Sequence, residues 1–555
     1  MRFTGMSATP GDGRDAVAHP DIDPIHHSER QQMLHRTRTV VAAVVCGTVL
    51  ALGACGGSSD TADTTSTSGV TGQPVAGGEA RILALSEPSS LDPVVSGNNA
   101  VIAGVIGNAL YGSLMIDDAA GKVVYRMAES FETTDKGASF TLKLRPGLLF
   151  SDGTPLDAAA VKFNWDRFRD PANRSTYLAD GSLIASTEVV DDVTLKATMV
   201  SPVPSFAGAI INSSLNWIAS PDALKKGQAE FDKNPVGAGP FKLQSWTRQA
   251  ELRLVKNPKY YDAPKPYLDS LVVRAVTDAG QRINTVTSGG ADIAIDSNPV
   301  NIDKGNSADL NVNVAALNGG FFMALNTRRA PFNDIRARQA FNAAIDLDAA
   351  NLAVYNGTGE VPETLFTKDS PLYTDVPLHK TDKAKAQKLF DELAAEGKPV
   401  TFTFTSFAST ENRTLAENIQ AQLSVYKNVK VEVKVVDYAE VPKLRSTYDF
   451  DILVSSAFFT SPDPRLTTAF ASGSAANLSG VEDKALTDAL AAGRVATTDA
   501  ERRTAYTTVQ KRLAELSPLV FYTRPNFAAI AGTDVGGLHQ YGSGSLLPEE
   551  VWIKK

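Results

Sequence analysis

The chain has 555 residues, with 54 Lys or Arg against 62 Asp or Glu, a formal net charge of -8 and a sequence pI near 5.5. An acidic balance excludes the basic patch with which nucleic-acid-binding domains meet phosphate, and the length exceeds what one hydrophobic core fills, so at least two lobes are expected. Past residue 55 no apolar run approaches the roughly 18 residues of a membrane-spanning helix.

The first organised segment is a leader. His35, Arg36 and Arg38 precede an apolar run from Val40 to Ala54, broken only by Gly47, Thr48 and Gly53. That run is short for a span but suits a signal-peptide core, which needs roughly 7 to 15 apolar residues before a small-residue cleavage site. It ends Leu52-Gly53-Ala54-Cys55, which resembles the bacterial lipobox. The resemblance implies cleavage before Cys55 and acylation of its sulfur, which places the mature chain on the outer face of the plasma membrane. Cys46 would leave with the leader, and acylation removes the liability of a single free thiol in an oxidising compartment. Residues 1–32 are acidic and rich in loop formers, unlike a signal n-region, so Met33 is an alternative start to Met1.

Residues 56–78 are mostly Gly, Ser, Thr, Asp and Ala, unable to build a core, and read as a flexible spacer. Strand-like sequence begins at Ala80-Arg81-Ile82-Leu83-Ala84-Leu85, and a helix is expected from about Val101 to Leu114. Phe140, Leu142 and Leu144 alternate with Thr141 and Lys143 as in a half-buried strand. The turn Ser151-Asp152-Gly153 precedes a helix start with Thr154 as cap, Pro155 as first helical residue and Asp157 as capping-box acid. Val161, Trp165 and Phe168 then share a face.

From about residue 320 helices and strands alternate. Ala337, Ala340, Phe341, Ala344 and Ile345 fall at helical spacing, as do Ala386, Leu389, Phe390 and Leu393, and then Leu415, Ile419 and Leu423. Strands are expected at Val400 to Phe404, Val429 to Val435 and Phe450 to Ser455. Such alternation implies crossover connections and a largely parallel, helix-covered sheet, hence an α/β chain of two lobes.

Catalytic and metal chemistry find little material. Without the leader, only His379 and His539 remain as histidines, and neither sits in a nucleophile–base motif. A His/Cys zinc site lacks ligands, and no cofactor motif is present: Gly237-Ala238-Gly239-Pro240 lacks the Lys-Ser/Thr of a P-loop and reads as a turn. Acid pairs such as Asp292 with Asp296, or Asp449 with Asp451, have a glycosidase's residue types at commonplace spacings.

Five ordered segments resemble extracellular solute-binding protein family 5, the peptide-, nickel- and opine-type receptors of ABC importers. They are Leu91-Asp92-Pro93 with Leu110-Tyr111-Gly112-Ser113-Leu114; residues 142–163, including Phe150-Ser151-Asp152-Gly153-Thr154-Pro155-Leu156; Asn234 to Phe241 with Asn257-Pro258-Lys259-Tyr260-Tyr261; Leu325-Asn326-Thr327; and Pro331 to Asp346. The resemblance implies a two-lobed periplasmic-binding-protein-like fold with a ligand cleft between the lobes and two crossing strands as hinge. Residues 79–318 and 525–555 would form lobe I, and 319–524 lobe II. It also implies no enzyme activity, a monomer tied to the membrane by its lipid, permease and ATPase subunits as partners, and a small solute or peptide as ligand. A sensor or interaction protein of the same fold, without transport, is the alternative.

Peptide binders of this family carry an aspartate three residues before an acidic-Pro pair, where it meets the peptide's amine. Here the pair is Asp463-Pro464 and the aspartate's place is taken by Thr460, whose neutral hydroxyl cannot make the charge-assisted bond a buried ammonium needs. Either Asp463 substitutes through a shifted loop or the ligand has no free amine there. The resemblance thus nominates Phe458, Thr460, Ser461, Asp463 and Arg465 as ligand contacts, with Arg465 facing an anionic group, and Tyr522 near a crossing strand.

Overall fold

The computed structural model describes residues 72–118, 121–315, 317–437 and 440–554. The leader, Met33, Cys55 and the spacer up to residue 71 lie outside the described residues. The end of the expected spacer is not free: the Gly77 N–H donates to the Tyr267 carbonyl at 2.8 Å and the Gly78 N–H to Asp269 at 3.0 Å, so the chain is already docked there.

Three sheets organise the body. The largest runs, in spatial order, Asn311–Ala315, Phe527–Ala531, Ile293–Asp296, Glu79–Ala84, Ser270–Ala275, Glu251–Lys256 and Phe241–Thr247. Its centre, Glu79–Ala84, lies parallel to both neighbours, and Phe527–Ala531 is inserted antiparallel from the far end of the chain. Phe527–Ala531 reads FAAIA and is buried throughout, as an apolar strand covered on both faces must be.

The second sheet is four-stranded and antiparallel: Ala128–Glu132, Ser139–Leu144, Thr194–Met199 and Ile184–Asp191. Here the expected alternation appears, with Phe140, Leu142 and Leu144 inside and Thr141 and Lys143 outside. The helix Ala158–Arg169 covers the inner face with Val161, Trp165 and Phe168, and Phe131, Phe140 and Phe206 pack together beside Trp165. Its cap differs from expectation. Asp157 receives the Ala160 N–H, whereas Thr154 bonds Asp152 in a turn and Pro155 bridges to Leu149. The preceding loop claims Thr154 and Pro155, so the helix starts later.

The third sheet runs Val429–Val436, Val400–Phe407, Ile452–Phe459, Asn318–Leu325 and Leu519–Thr523. The expected parallel character holds for the first three strands; the two crossing strands pair antiparallel. Helices Ile335–Ala344, Lys383–Ala395, Thr410–Leu423 and Asp499–Leu516 surround this sheet, the last opened by a Thr498/Glu501 capping box. Its core, from Phe322 through Tyr522, is separate from the cores under the other two sheets.

Between Residues 101 and 114 the expected single helix divides. Asn99 caps a π-helical turn, Ala100–Gly104, followed by an α-helix, Val105–Tyr111, that stops at Gly112 with φ 67°, where a left-handed residue can end a helix. The Gly237 to Pro240 turn packs on this helix end: a Cβ on Gly237 or Gly239 would fall 2.2 or 2.3 Å from the Leu110 or Ala109 carbonyl oxygen. These glycines are required by close backbone approach, as a turn reading suggests.

Among the described residues two strand pairs carry the chain between the seven- and five-stranded sheets: Asn311–Ala315 into Asn318–Leu325, and Leu519–Thr523 into Phe527–Ala531. Arg524 ties the two crossings together. Its buried guanidinium reaches the Leu317 carbonyl at 3.3 Å, the Thr364 carbonyl at 3.0 Å and the Glu360 carboxylate at 2.7 Å.

Candidate ligand-binding cleft

Where the seven- and four-stranded sheets face the five-stranded one, the strand Ile452–Phe459 delivers the loop 460–464 and the helix Arg465–Phe470 to the boundary. Phe458 stands at the strand end, its ring 5.8 Å from Phe321 on its own sheet and 5.6 Å, edge-on, from Phe527 on the opposite one. Tyr522 continues this aromatic row at 6.4 Å from Phe321. The row sits where the two crossings meet the cleft floor, as alternate residues of neighbouring strands share a face.

Thr460 is engaged from the other side of the boundary. Asn212, just past the helix Phe206–Ile211, donates to its hydroxyl oxygen at 3.0 Å, and the hydroxyl lies beside Asp117, whose ionised form it favours. Asp117, at the end of the strand Met115–Asp117, also accepts the Gly542 N–H at 2.6 Å, and Ser543 donates to Asn212 at 2.8 Å. Burial pushes the Asp117 carboxyl up, against the hydrogen bonds that favour its ionised form. Ser461 lies against Gly208, where an added Cβ would come 3.0 Å from the serine's own.

Asp463 points the other way. It is 1% exposed, 3.2 Å from Arg494 and bonded by Thr467 at 2.8 Å, so its charge is consumed inside the five-stranded body. The loop does not shift to present it in place of the missing aspartate, because an unpaired Arg494 there would cost more than the exchange returns.

Arg465 is the open charge of this loop. Its guanidinium donates to the Ser456 carbonyl at 3.1 Å and lies 5.8 Å over the Phe458 ring. It keeps accessible surface although protein surrounds it on several sides, the mark of a side chain lining a concavity. Across the boundary lie Tyr177 and Asp180, on the short helix Leu178–Gly181 and its start. Burial pushes Asp180 up to about 6, opposed by Arg465 and reinforced by Asp463. Tyr177 donates to the Asn98 carbonyl at 3.3 Å.

No other polar constellation competes. His379 is bound to Asn342 and Thr381, and His539 to Glu550. Asp292 pairs with Arg81, Asp296 with buried Arg282, and Asp449 and Asp451 with Arg329, so none of these acid pairs shares an open site. Among the described residues no group of three or more His, Cys, Asp or Glu converges to hold a metal, and no helix is long and apolar enough to cross a membrane.

The family model for bacterial extracellular solute-binding proteins, family 5 (middle section) matches residues 122–477, more than half of the chain. The chain belongs to solute-binding protein family 5. The glutathione-binding protein GsiB of Shigella flexneri serotype 5b is 29% identical over 360 residues, 63% of this chain and 68% of the relative. The periplasmic binding protein DppA of Helicobacter pylori, solved with the peptide STSA, superposes with TM-score 0.73 at 22% identity, covering 87% of this chain and 99% of that one. AgaA from Agrobacterium tumefaciens R10, solved with agropinic acid, gives TM-score 0.72 at 26% identity over 86% and 99%. The fold is therefore the α/β, two-lobed periplasmic-binding-protein fold, with the three sheets as its scaffold and the Arg524-tied crossings as its hinge. As a family 5 member the chain is a binding protein and not an enzyme.

Sequence reasoning pointed to the 458–465 loop but missed what the fold sets against it: Asn212, Phe527 and Asp117. No local signal marks them. Asn212 and Thr460 are 248 positions apart and meet only when the lobes do.

Proposed function

We propose that this chain captures a small solute, a peptide by default, in the cleft between lobe I (79–318 and 525–555) and lobe II (319–524) and hands it to an ABC permease. The carrying observation is that one loop of lobe II, 458–465, is met by Asn212 and Phe527 of lobe I, so a solute held on that loop touches both lobes at once. A ligand with such contacts stabilises the closed state and thereby shifts an open–closed equilibrium. The contacts we assign are Phe458, Thr460, Ser461 and Arg465, with Tyr522 behind them; Asp463 supports the loop from inside. Relatives named for glutathione, a peptide and agropinic acid support a small organic solute.

The lipid on Cys55 and the spacer would keep a monomeric receptor at the outer face of the membrane beside its permease and ATPase. Native mass spectrometry of freshly purified protein tests the capture reading: a retained small solute, lost on unfolding, is expected. Absence of any retained solute, together with no thermal shift across peptide, sugar and anion libraries, would sink it. Cys55→Ser is expected to release the chain from membranes while leaving solute binding unchanged, and persistent anchoring would refute the lipid assignment.

A further inference from the structure

We infer that Asn212 is a positioning residue that latches lobe I onto Thr460 of lobe II, so that the chain closes on itself at this end of the cleft before any solute arrives. This rests on the two-lobed receptor reading above, and adds to the Thr460 contact a bond made between the lobes themselves.

The latch is built in lobe I from three stretches of chain. They are the end of the strand Met115–Asp117, the residue that follows the helix Phe206–Ile211, and the hairpin Gln540–Tyr541 with Ser545–Leu546. The hairpin is fixed from below. The Tyr541 hydroxyl donates to the Asn108 side chain at 2.7 Å, Asn108 donates to the Leu546 carbonyl at 2.8 Å, and Trp217 donates to Asn108 at 2.9 Å, all of them buried. Its turn is thereby set against Asn212 and Asp117: the Ser543 hydroxyl donates to the Asn212 carboxamide oxygen at 2.8 Å, and the Gly542 N–H to Asp117 at 2.6 Å. Gly542 has φ 52°, and a Cβ there would fall 3.1 Å from the same Asn212 oxygen, so glycine is what lets the turn come this close.

The carboxamide of Asn212 is aimed before lobe II takes part. One of its N–H groups donates to the Gly208 carbonyl at 3.0 Å and its oxygen accepts from Ser543, both partners lying within lobe I. A carbonyl only accepts, so the Gly208 bond fixes which end of the side chain is the NH2 group. The second N–H is left for the Thr460 hydroxyl oxygen, 3.0 Å away. Thr460 is presented with similar constraint, since Asp463, three residues on, is held by Arg494 and Thr467 inside lobe II. Two preset groups bond with little further loss of conformational freedom, which is what makes a single hydrogen bond count across a boundary.

Two more contacts work with it. A Cβ on Gly208 would come 3.0 Å from that of Ser461, and Phe527 meets Phe458 edge-on with ring centroids 5.6 Å apart. All of these join protein to protein, so their free energy favours the closed form with or without a solute. A receptor with a larger closed fraction binds every solute more tightly, in proportion to that fraction. The latch therefore sets the strength of capture and leaves the choice of solute to the rest of the cleft.

The test traps the closed form in the empty chain. The approach of Gly208 to Ser461 is close enough that Gly208→Cys with Ser461→Cys meets, after a small outward shift, the roughly 3.5 to 4.5 Å between Cβ atoms that a disulfide needs. Both cysteines are placed in the full-length chain carrying Cys46→Ser and Cys55→Ser. The protein is dialysed until native mass spectrometry shows the chain alone, and disulfide formation in oxidised dithiothreitol is timed. The disulfide is expected to form in the empty chain. Asn212→Ala or Thr460→Val is expected to slow it about fivefold or more, and Thr460→Ser to keep close to the parent rate. Because the two residues act through one bond, the double variant should be no slower than the slower single variant. No disulfide in the empty chain, equal rates in all variants, or losses that multiply in the double variant overturn the latch. A loss with Asn212→Ala but not with Thr460→Val reports damage within lobe I and overturns it too. The receptor reading is judged separately: a chain that retains solute but fails the trapping test keeps its function and loses the latch, whereas one that traps but never retains a solute keeps the latch and loses the receptor reading.

Discussion

The two ends of the 458–465 loop solve opposite problems. The Thr460 end is engaged from the other lobe: Asn212 donates to its hydroxyl, Asp117 lies beside it, and Gly542 and Ser543 stand behind them. Five residues on, Arg465 bonds only Ser456 of the strand before it and makes no ion pair among the described residues. A satisfied boundary holds lobes together; an unsatisfied one invites a third molecule. Within this one loop the Thr460 end is engaged from the other lobe, the Arg465 end makes no ion pair among the described residues, and Asp463, between them, is buried against Arg494.

That separation can be broken in order of expected effect. Asp463→Ala leaves Arg494 without its partner in a poorly solvated site, and stability is expected to fall by about 3 to 5 kcal/mol, read as a lower urea midpoint; a change under about 1 kcal/mol would mean the pair does not support the loop. Thr460→Val strips the interlobe bond from Asn212 and removes the hydroxyl beside Asp117. Closure should weaken by about 1 to 3 kcal/mol, seen as a five- to hundredfold weaker affinity for every solute alike and a larger radius of gyration in scattering with ligand present. A solute-selective loss instead would place Thr460 in recognition and erase the contrast between the two ends.

Gly208→Leu pushes a side chain toward Ser461 and should wedge the lobes apart at the closure end. Apparent affinity is lost in proportion to the closed fraction, about tenfold at most, with stability little changed; unaltered affinity would show that the lobes do not close against this helix. The smallest effect concerns pH. Asp180 is held up to about 6 by burial, with Arg465 and Asp463 among the charges facing it and Tyr177 on its own helix start. Burying the neutral carboxyl costs less than burying the ionised one, so stability should fall slightly as pH rises from about 4 to about 6. In Asp180→Asn this dependence should flatten; an unchanged profile would assign the titration elsewhere.

Much of the scaffold was legible because its signals are local. Alternation at Phe140 to Leu144 and at Val400 to Phe404 needs only neighbours in sequence, and the strands appear where alternation puts them. The Thr154 cap was misread because a nearby loop competed for the same hydroxyl: Asp152 bonds Thr154, and the helix begins with Asp157 instead. The largely parallel expectation for the five-stranded sheet holds for three strands and stops at Asn318–Leu325 and Leu519–Thr523, whose antiparallel pairing goes with crossing between lobes and not with a helical connection. In the cleft, Arg465 and Phe458 could be nominated from one loop. Asp463 could be named too, but that it turns inward to Arg494 depends on a helix, Lys484–Val495, some thirty residues on.

By itself the sequence determined that the chain is acidic, built of α/β lobes and similar in five ordered segments to solute-binding protein family 5. Periodicity, composition and short motifs are properties of contiguous residues, so they survive without a fold. Only the tertiary structure decided which charges are spent and which are left open, because pairing is a matter of distance between residues hundreds of positions apart. Asp463 and Arg465 stand two positions apart on one loop; burial against Arg494 occupies the first, while the second makes no ion pair among the described residues.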